Sequence, residues 1–336
     1  MNTFRALLAL LLVPLLASLS SGQAAAVELI VYSERKPPLI EPILKAYTEA
    51  TGVEVRLLSD SAAVLIERLA AEGEHTRADL LLTVDAGNLW QAAERGLLAT
   101  IDSPVLKERV PVHLRDPEGQ WFGLTRRART VVYNPELIQP EQLSTYAALG
   151  DPALKGKLCL RSSRKVYNQS LVATLIDRLG AEQAEVVVQA WVHNLAAPPF
   201  ADDTLVIQAV AAGQCGVGLV NTYYYGRLLK EDPALKARLF WADQGAGGVH
   251  VNLSGAGLTR HGKHATEAQA LLEWLSGPQA QAMFATVDFE YPVLAGTALA
   301  PEVQAWGDFE EDRTPLVVAG KRQREAVELM DRAGWR

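Results

Sequence analysis

The run Ala78–Val84, ADLLLTV, decides the fold. Its apolar residues are continuous where a strand with one wet face would alternate. A strand covered on both faces, as in a parallel α/β sheet, reads this way. Upstream, Glu28–Ser33 (ELIVYS) is a second buried strand. Ile40, Ile43, Leu44 and Tyr47 then fall at i, i+3, i+4 and i+7, one face of a helix, and Gly52 ends it. Val53–Leu58 gives another strand. Ala62, Leu65, Ile66, Leu69 and Ala70 give a second amphipathic helix, ending near Gly73. After ADLLLTV a third helix is predicted over Trp90–Leu98. Strand, helix, strand, helix, strand means βαβ units and an open α/β sheet.

The pattern resumes beyond Lys155. Strands are predicted at Lys157–Arg161, Gly216–Val220 and Val251–Leu258, with helices at about Asn168–Leu179 and at Glu267–Leu275. Pro198-Pro199 and Gly245–Gly248 interrupt it. At 336 residues the chain is long enough for two lobes with cores of their own.

The start of the chain is read as separate from the fold. A short basic beginning ending at Arg5, an apolar stretch over Ala6–Leu19 and small residues at Ala24-Ala25-Ala26 predict a secretory signal peptide over residues 1–26. The remainder is expected outside the cytoplasm. Its acidity argues against nucleic acid as a partner: the formal charge is −7 overall, and the leader carries Arg5 and no acid. Two cysteines, Cys159 and Cys215, are present. Export and an even count favour one disulfide over two buried thiols.

Two lobes in an exported chain is the layout of a solute-binding protein whose lobes close on a ligand by hinge motion. Fold alone does not name the ligand. The site candidates come from NTYYYGRLL, Asn221–Leu229, which spends three of the chain's nine tyrosines in a row. Cys159 lies eight residues before Tyr167, and Cys215 eight residues before Tyr223. If each cysteine opens a strand, a disulfide sets two strands side by side with matched ends, where α/β folds bind ligands. Tyr167, Tyr223 and Tyr224 then converge. A phenol ionises only near pH 10, so it becomes a good ligand when a small, highly charged cation displaces its proton. Hard cations prefer oxygen donors, and ferric iron is the hard biological example. Core packing and stacking on a sugar or peptide remain open readings of the same residues. Neighbours in a strand alternate, so two tyrosines are read as facing the site and one as packing.

Several segments, in order, carry a resemblance: VYSERKPPLIEPIL, ADLLLTVD, WFGLTRRAR, VYNQSL, NTYYYGRLL, HVNLSGAGL and EYPVLAG. Over nearly the whole chain past the leader, the sequence resembles the periplasmic ferric-binding proteins of bacterial ABC iron importers. The resemblance implies a two-lobed type II periplasmic-binding-protein fold with transferrin-like lobes, hinge strands and an interlobe cleft. It implies Fe(III) as cargo, with Tyr167, Tyr223 and Tyr224 as ligands. Many members place a histidine or tyrosine just after the Ser-x-Arg of the first segment. Here Ser33-Glu34-Arg35 is followed by Lys36-Pro37-Pro38, so no direct ligand is expected from the first lobe. A small anion must complete the shell. By resemblance to the three-tyrosine members, that anion is carbonate, supplied as bicarbonate and held by Arg35 and Arg127, with backbone amides at the start of the helix after Tyr167 as further donors. Arginine's planar fork suits such an anion. A surface ion pair for Arg35, and a solvated basic face for Arg126, Arg127 and Arg129, are the bland alternatives.

The first lobe is expected to comprise residues 27–126 with about 250–300, and the second 127–249 with about 301–336. The expected partner is an inner-membrane ABC permease, and the chain is expected to be a monomer. No GxSxG, HExxH or Walker loop marks it as an enzyme. Tyr225, Tyr133 and Tyr32 are read as packing, and His250 as a non-ligand. The rival reading is the same fold binding an organic solute or ferric chelate, such as a polyamine, a sugar or a siderophore-like molecule. A sensor presenting its closed lobes to a membrane receptor is the other.

Overall fold

The strand predicted at Glu28–Ser33 is β1, with those bounds. The computed structural model describes residues 27–336, so the expected signal peptide lies outside the described residues. Pro37 opens α1 (Pro37–Thr51), and Gly52, at φ 73°, closes it by donating its N–H to Thr48 O. Next come β2 (Glu54–Ser59), α2 (Ala62–Glu72) and β3 (Leu80–Thr83). Every β3 residue is buried, which is why its sequence lacks alternation. The third helix, α3 (Ala86–Glu94), begins before the predicted Trp90 because Asp85 caps it, accepting from Gly87 N at 2.7 Å.

After α4 (Pro104–Arg109) comes a long strand, β4 (Phe122–Tyr133), that the periodicity did not suggest. The second half holds β5 (Leu158–Cys159), α5 (Val166–Leu179), α6 (Ala181–His193), α7 (Asp203–Ala211), β6 (Val217–Asn221), α8 (Thr222–Glu231) and β7 (Arg238–Phe240). The chain then returns through β8 (Val251–Leu258), α9 (Ala265–Leu275), α10 (Pro278–Asp288) and β9 (Tyr291–Pro292). It ends with α11 (Pro301–Gln304), α12 (Val317–Lys321) and α13 (Gln323–Arg332).

Strand order is β2-β1-β3-β8-β4-β6-β5, with β7 and β9 also on β4. β1 runs parallel to β2 and β3, but β8 is antiparallel to both β3 and β4. The sheet is therefore mixed, not parallel throughout as ADLLLTV alone suggested. The reason is connectivity: β4 leads the chain out of one half, and β8 leads it back in the opposite direction. Phe122–Ala128 of β4 pairs with β8, whereas Arg129–Tyr133 pairs with β6. One strand thus enters two cores. The first packs Leu29, Leu81, Trp121 and Phe122 with Leu253, Leu271 and Phe284, and takes in Leu316 and Val317. The second packs Val131, Leu158, Leu171, Trp191 and Leu219 with Leu329 and Trp335. No helix among the described residues is long and apolar enough to cross a membrane.

Cys159 and Cys215, 56 positions apart in sequence, form a disulfide with Cα atoms 5.9 Å apart. Cys159 ends β5 instead of opening it, and lies in parallel register with Gly218 of β6. Closing a loop of this length stabilises the fold by about 4 kcal/mol in the chain-entropy account. A Cys159→Ala/Cys215→Ala chain is expected to lose about that much in urea unfolding, and dithiothreitol is expected to lower the midpoint of the parent chain alone.

Candidate functional site

Tyr167 sits in the first turn of α5, and Tyr223 and Tyr224 in the first turn of α8. The tyrosine triplet is helical, not the strand assumed above, because β6 stops at Asn221. Successive side chains on a helix are about 100° apart, since 3.6 residues make a turn. Tyr223 and Tyr224 therefore adjoin, with ring centroids 4.3 Å apart. Tyr225 turns into the core, donating to Ala237 O at 3.3 Å and packing on Trp306. The β5–β6 pairing brings the two helix starts together. The hydroxyls of Tyr167 and Tyr223 lie 3.3 Å apart, and both residues are buried. Tyr224, half-buried, packs beside Tyr167, Val166 and Val84.

A single guanidinium ties these helix starts. Arg129 Nη1 donates to Asp203 Oδ2 and Asn221 Oδ1, both at 3.0 Å, and Nη2 donates to Asn168 Oδ1 at 2.6 Å. Asn168 follows Tyr167, and Asn221 is the residue at which the tyrosine triplet's helix starts, its side chain turned to Arg129 instead of the helix amides. Arg129 is fully buried, and Asp203 balances its charge.

Burial pushes the Tyr167 phenol well above its ordinary pKa, with Arg127 pulling back. Tyr223 is raised by burial and then by Tyr167 and Tyr224. Both phenols are neutral at pH 7, yet cations ring them. Arg127 lies 5.9 Å from the Tyr167 ring centroid and 5.6 Å from that of Tyr223. Arg161 and Lys165 lie 5.8 and 4.5 Å from the Tyr167 ring, and Arg227 4.8 Å from the Tyr223 ring. Arg127 Nε, Arg161 Nε and Arg227 Nη2 are buried donors without a hydrogen-bonding acceptor among the described residues.

Arg35 and Arg127 are both buried, so neither belongs to a solvated face. Arg35 pairs with Asp288, and its Nη1 donates to Glu290 Oε2 at 3.0 Å and Ser254 Oγ at 2.8 Å. Arg127 Nη1 donates to Val84 O and Leu253 O, each at 2.8 Å, and Nη2 donates to Ser254. Arg127 is thus beside the phenols, and Arg35 stands behind it through Ser254 and Glu290. The amide of Asn168 is taken by Lys165 O. His250 is buried, 3.3 Å from Thr174 Oγ1, and burial lowers its pKa to about 4. Among the described residues no three His, Cys, Asp or Glu side chains gather as a metal site.

Arg161, Lys165 and Arg227 escaped the reading of the sequence, and Arg129, offered there only as part of a solvated face, is buried. Arg227 was findable: it follows Tyr223 by four residues, one helical turn, once NTYYYGRLL is taken as a helix. Arg161 lies inside CLRSSRKVY, between the cysteine and the tyrosine.

Residues 43–311 match the family model of bacterial extracellular solute-binding proteins. The chain belongs to this family. Iron uptake protein A1 of Synechocystis is 41% identical over 315 residues, covering 92% of this chain and 88% of the relative. The structure of Trichodesmium FutA (IdiA) in complex with iron and citrate ligands superposes with a TM-score of 0.88 at 41% identity, over 92% of this chain and all of that one. The ferric binding protein from Campylobacter jejuni gives 0.87 at 31% identity, again over 92% of this chain and all of that one. The resemblance to periplasmic ferric-binding proteins of ABC importers is thereby shown, and the fold is the two-lobed type II architecture of that family.

Proposed function

We propose that this protein captures ferric iron in the periplasm and delivers it to an inner-membrane ABC permease. Tyr167, Tyr223 and Tyr224 are the metal's protein ligands in this reading, and carbonate completes the shell. The observation that carries it is the buried pair of phenol oxygens 3.3 Å apart, with a third phenol beside them and four cations around. Hard oxygens converge there, which suits a hard trivalent ion. The surrounding guanidinium groups lower the cost of three phenolates and leave buried N–H donors for an anion. Arg127 is the nearer anion holder, and Arg35 orients it through their shared partners. The lobes proposed to close over the ion are residues 27–126 with about 250–300, and 127–249 with about 301–336. The chain acts as a carrier and leaves the energy of import to its partners.

A ferric chelate as cargo is the second reading, favoured by the iron and citrate of the Trichodesmium relative. One titration tests both. Iron-stripped protein titrated with ferric citrate, with and without bicarbonate, is expected to develop a broad visible band saturating at about one iron per chain. Bicarbonate dependence supports carbonate. Full colour without bicarbonate, with citrate retained on the protein, supports the chelate. A colourless titration ends the ferric reading.

A further inference from the structure

Of the four cations around the phenols, Lys165 is placed differently. It precedes α5, and its ammonium lies 4.5 Å from the centroid of the Tyr167 ring. Across the cleft it meets Glu34, in the turn after β1, with Nζ 3.7 Å from Oε1. The other oxygen of that carboxylate is fixed: Oε2 accepts from Val84 N and from Asn88 Nδ2, both at 3.1 Å. Val84 itself packs on Tyr167. Glu34 is therefore a first-lobe oxygen held rigidly at the rim of the tyrosine cluster. Among the described residues its Oε1 has only Lys165 as a polar partner, and Glu34 is that lysine's one ion-pair partner.

An ammonium on the face of Tyr167 and a trivalent ion on its oxygen repel strongly at this range. Lysine has a flexible stem and a strongly hydrated head, and Lys165 is about a quarter exposed, so it can leave for solvent at little cost. Its departure leaves Glu34 Oε1, a hard donor, facing the cluster. We propose that Lys165 gates Tyr167, that ferric iron displaces it, and that Glu34 Oε1 then serves the bound ion as the first lobe's oxygen ligand. The expectation that this lobe gives no ligand considered only the residues after Arg35, where Lys36 and the prolines stand. The inference rests on the ferric reading above.

The pair is tested by measuring ferric affinity in citrate competition, read by the visible band, for the parent chain, Lys165→Met and Glu34→Gln. Thermal melts verify that both variants fold. Lys165→Met is expected to bind tighter. Glu34→Gln is expected to bind more weakly by about 10-fold or more, the scale on which even outer-shell losses act. Opposite signs are the signature, because a pair that merely latches the lobes shifts both variants the same way. Any pattern other than opposite signs with a coloured parent overturns the gate and leaves the ferric reading standing. A colourless parent removes the ferric reading and the gate with it.

Discussion

Tyr223→Phe is expected to abolish most of the visible ferric band and to weaken iron binding by more than about 100-fold, since even outer-shell losses cost that much at the upper end. The fold should survive. Among the described residues the Tyr223 hydroxyl hydrogen-bonds only that of Tyr167, so the ring's packing is kept and one raised phenol is removed. The pH dependence follows from the same geometry. Burial raises both Tyr167 and Tyr223, so neither is ionised before the metal arrives. Each phenolate formed on iron releases one proton. Below the phenol range, affinity for the free ferric ion therefore falls as pH falls, by up to about three factors of ten per pH unit for three phenolates and one more where bicarbonate binds as carbonate. Tyr223→Phe should reduce that slope by one. Proton release on loading, followed in weakly buffered solution at fixed bicarbonate, checks it. An unchanged slope in Tyr223→Phe would remove this tyrosine from the ligand set.

Arg35→Met is expected to cost about 3–5 kcal/mol of stability, because removing one partner of a buried pair leaves an uncompensated charge. Here Asp288 loses its guanidinium partner and Glu290 keeps only Arg127, whose Nε lies 3.6 Å from its Oε1; both carboxylates are nearly inaccessible. In the parent chain burial raises Asp288 to about 6 even against the pull of Arg35. Burial pulls Glu290 upward as well, but Arg35 and Arg127 outweigh it and hold that carboxyl below its ordinary value. The sign follows from these directions. A carboxyl raised in the folded state favours folding most when protonated, and its contribution is lost as pH rises through the folded value. Removing Arg35 takes away the pull on both acids and raises both. The defect of Arg35→Met should therefore be largest at neutral pH and shrink towards pH 5. Urea unfolding of both chains at pH 7.5 and pH 5 measures it. A defect that stays constant with pH would mean lost packing, including the contact of Arg35 with Phe284, and not stranded charge.

The residues that the sequence reading and the structure share are those set by local periodicity. β1 and β8 have their predicted bounds: β1 carries the apolar run Leu29–Tyr32, and β8 keeps Val251, Leu253, Ala256 and Leu258 buried among polar and glycine residues. The face Ile40, Ile43, Leu44 and Tyr47 is buried for a similar local reason. The cysteine pair was legible from count and export, and the spacing from each cysteine to its tyrosine pointed to Tyr167 and Tyr223, whose hydroxyls meet. What the sequence could not decide was charge. Without the resemblance, the arginines of FGLTRRAR leave a solvated basic face open, yet Arg127 and Arg129 are buried in the strand that crosses both cores. A buried arginine is tolerable only when a distant residue brings it an anion or acceptors. Asp203 does so for Arg129 across 74 positions of sequence, and Glu290 for Arg35 across 255. Those pairings, and the contact of Glu34 with Lys165, exist only once the chain is folded. Hydrophobic periodicity is a local property of the chain and fixes the elements. The neutralisation of buried charge is a property of the assembled fold, and it decides which arginines stand beside the tyrosines.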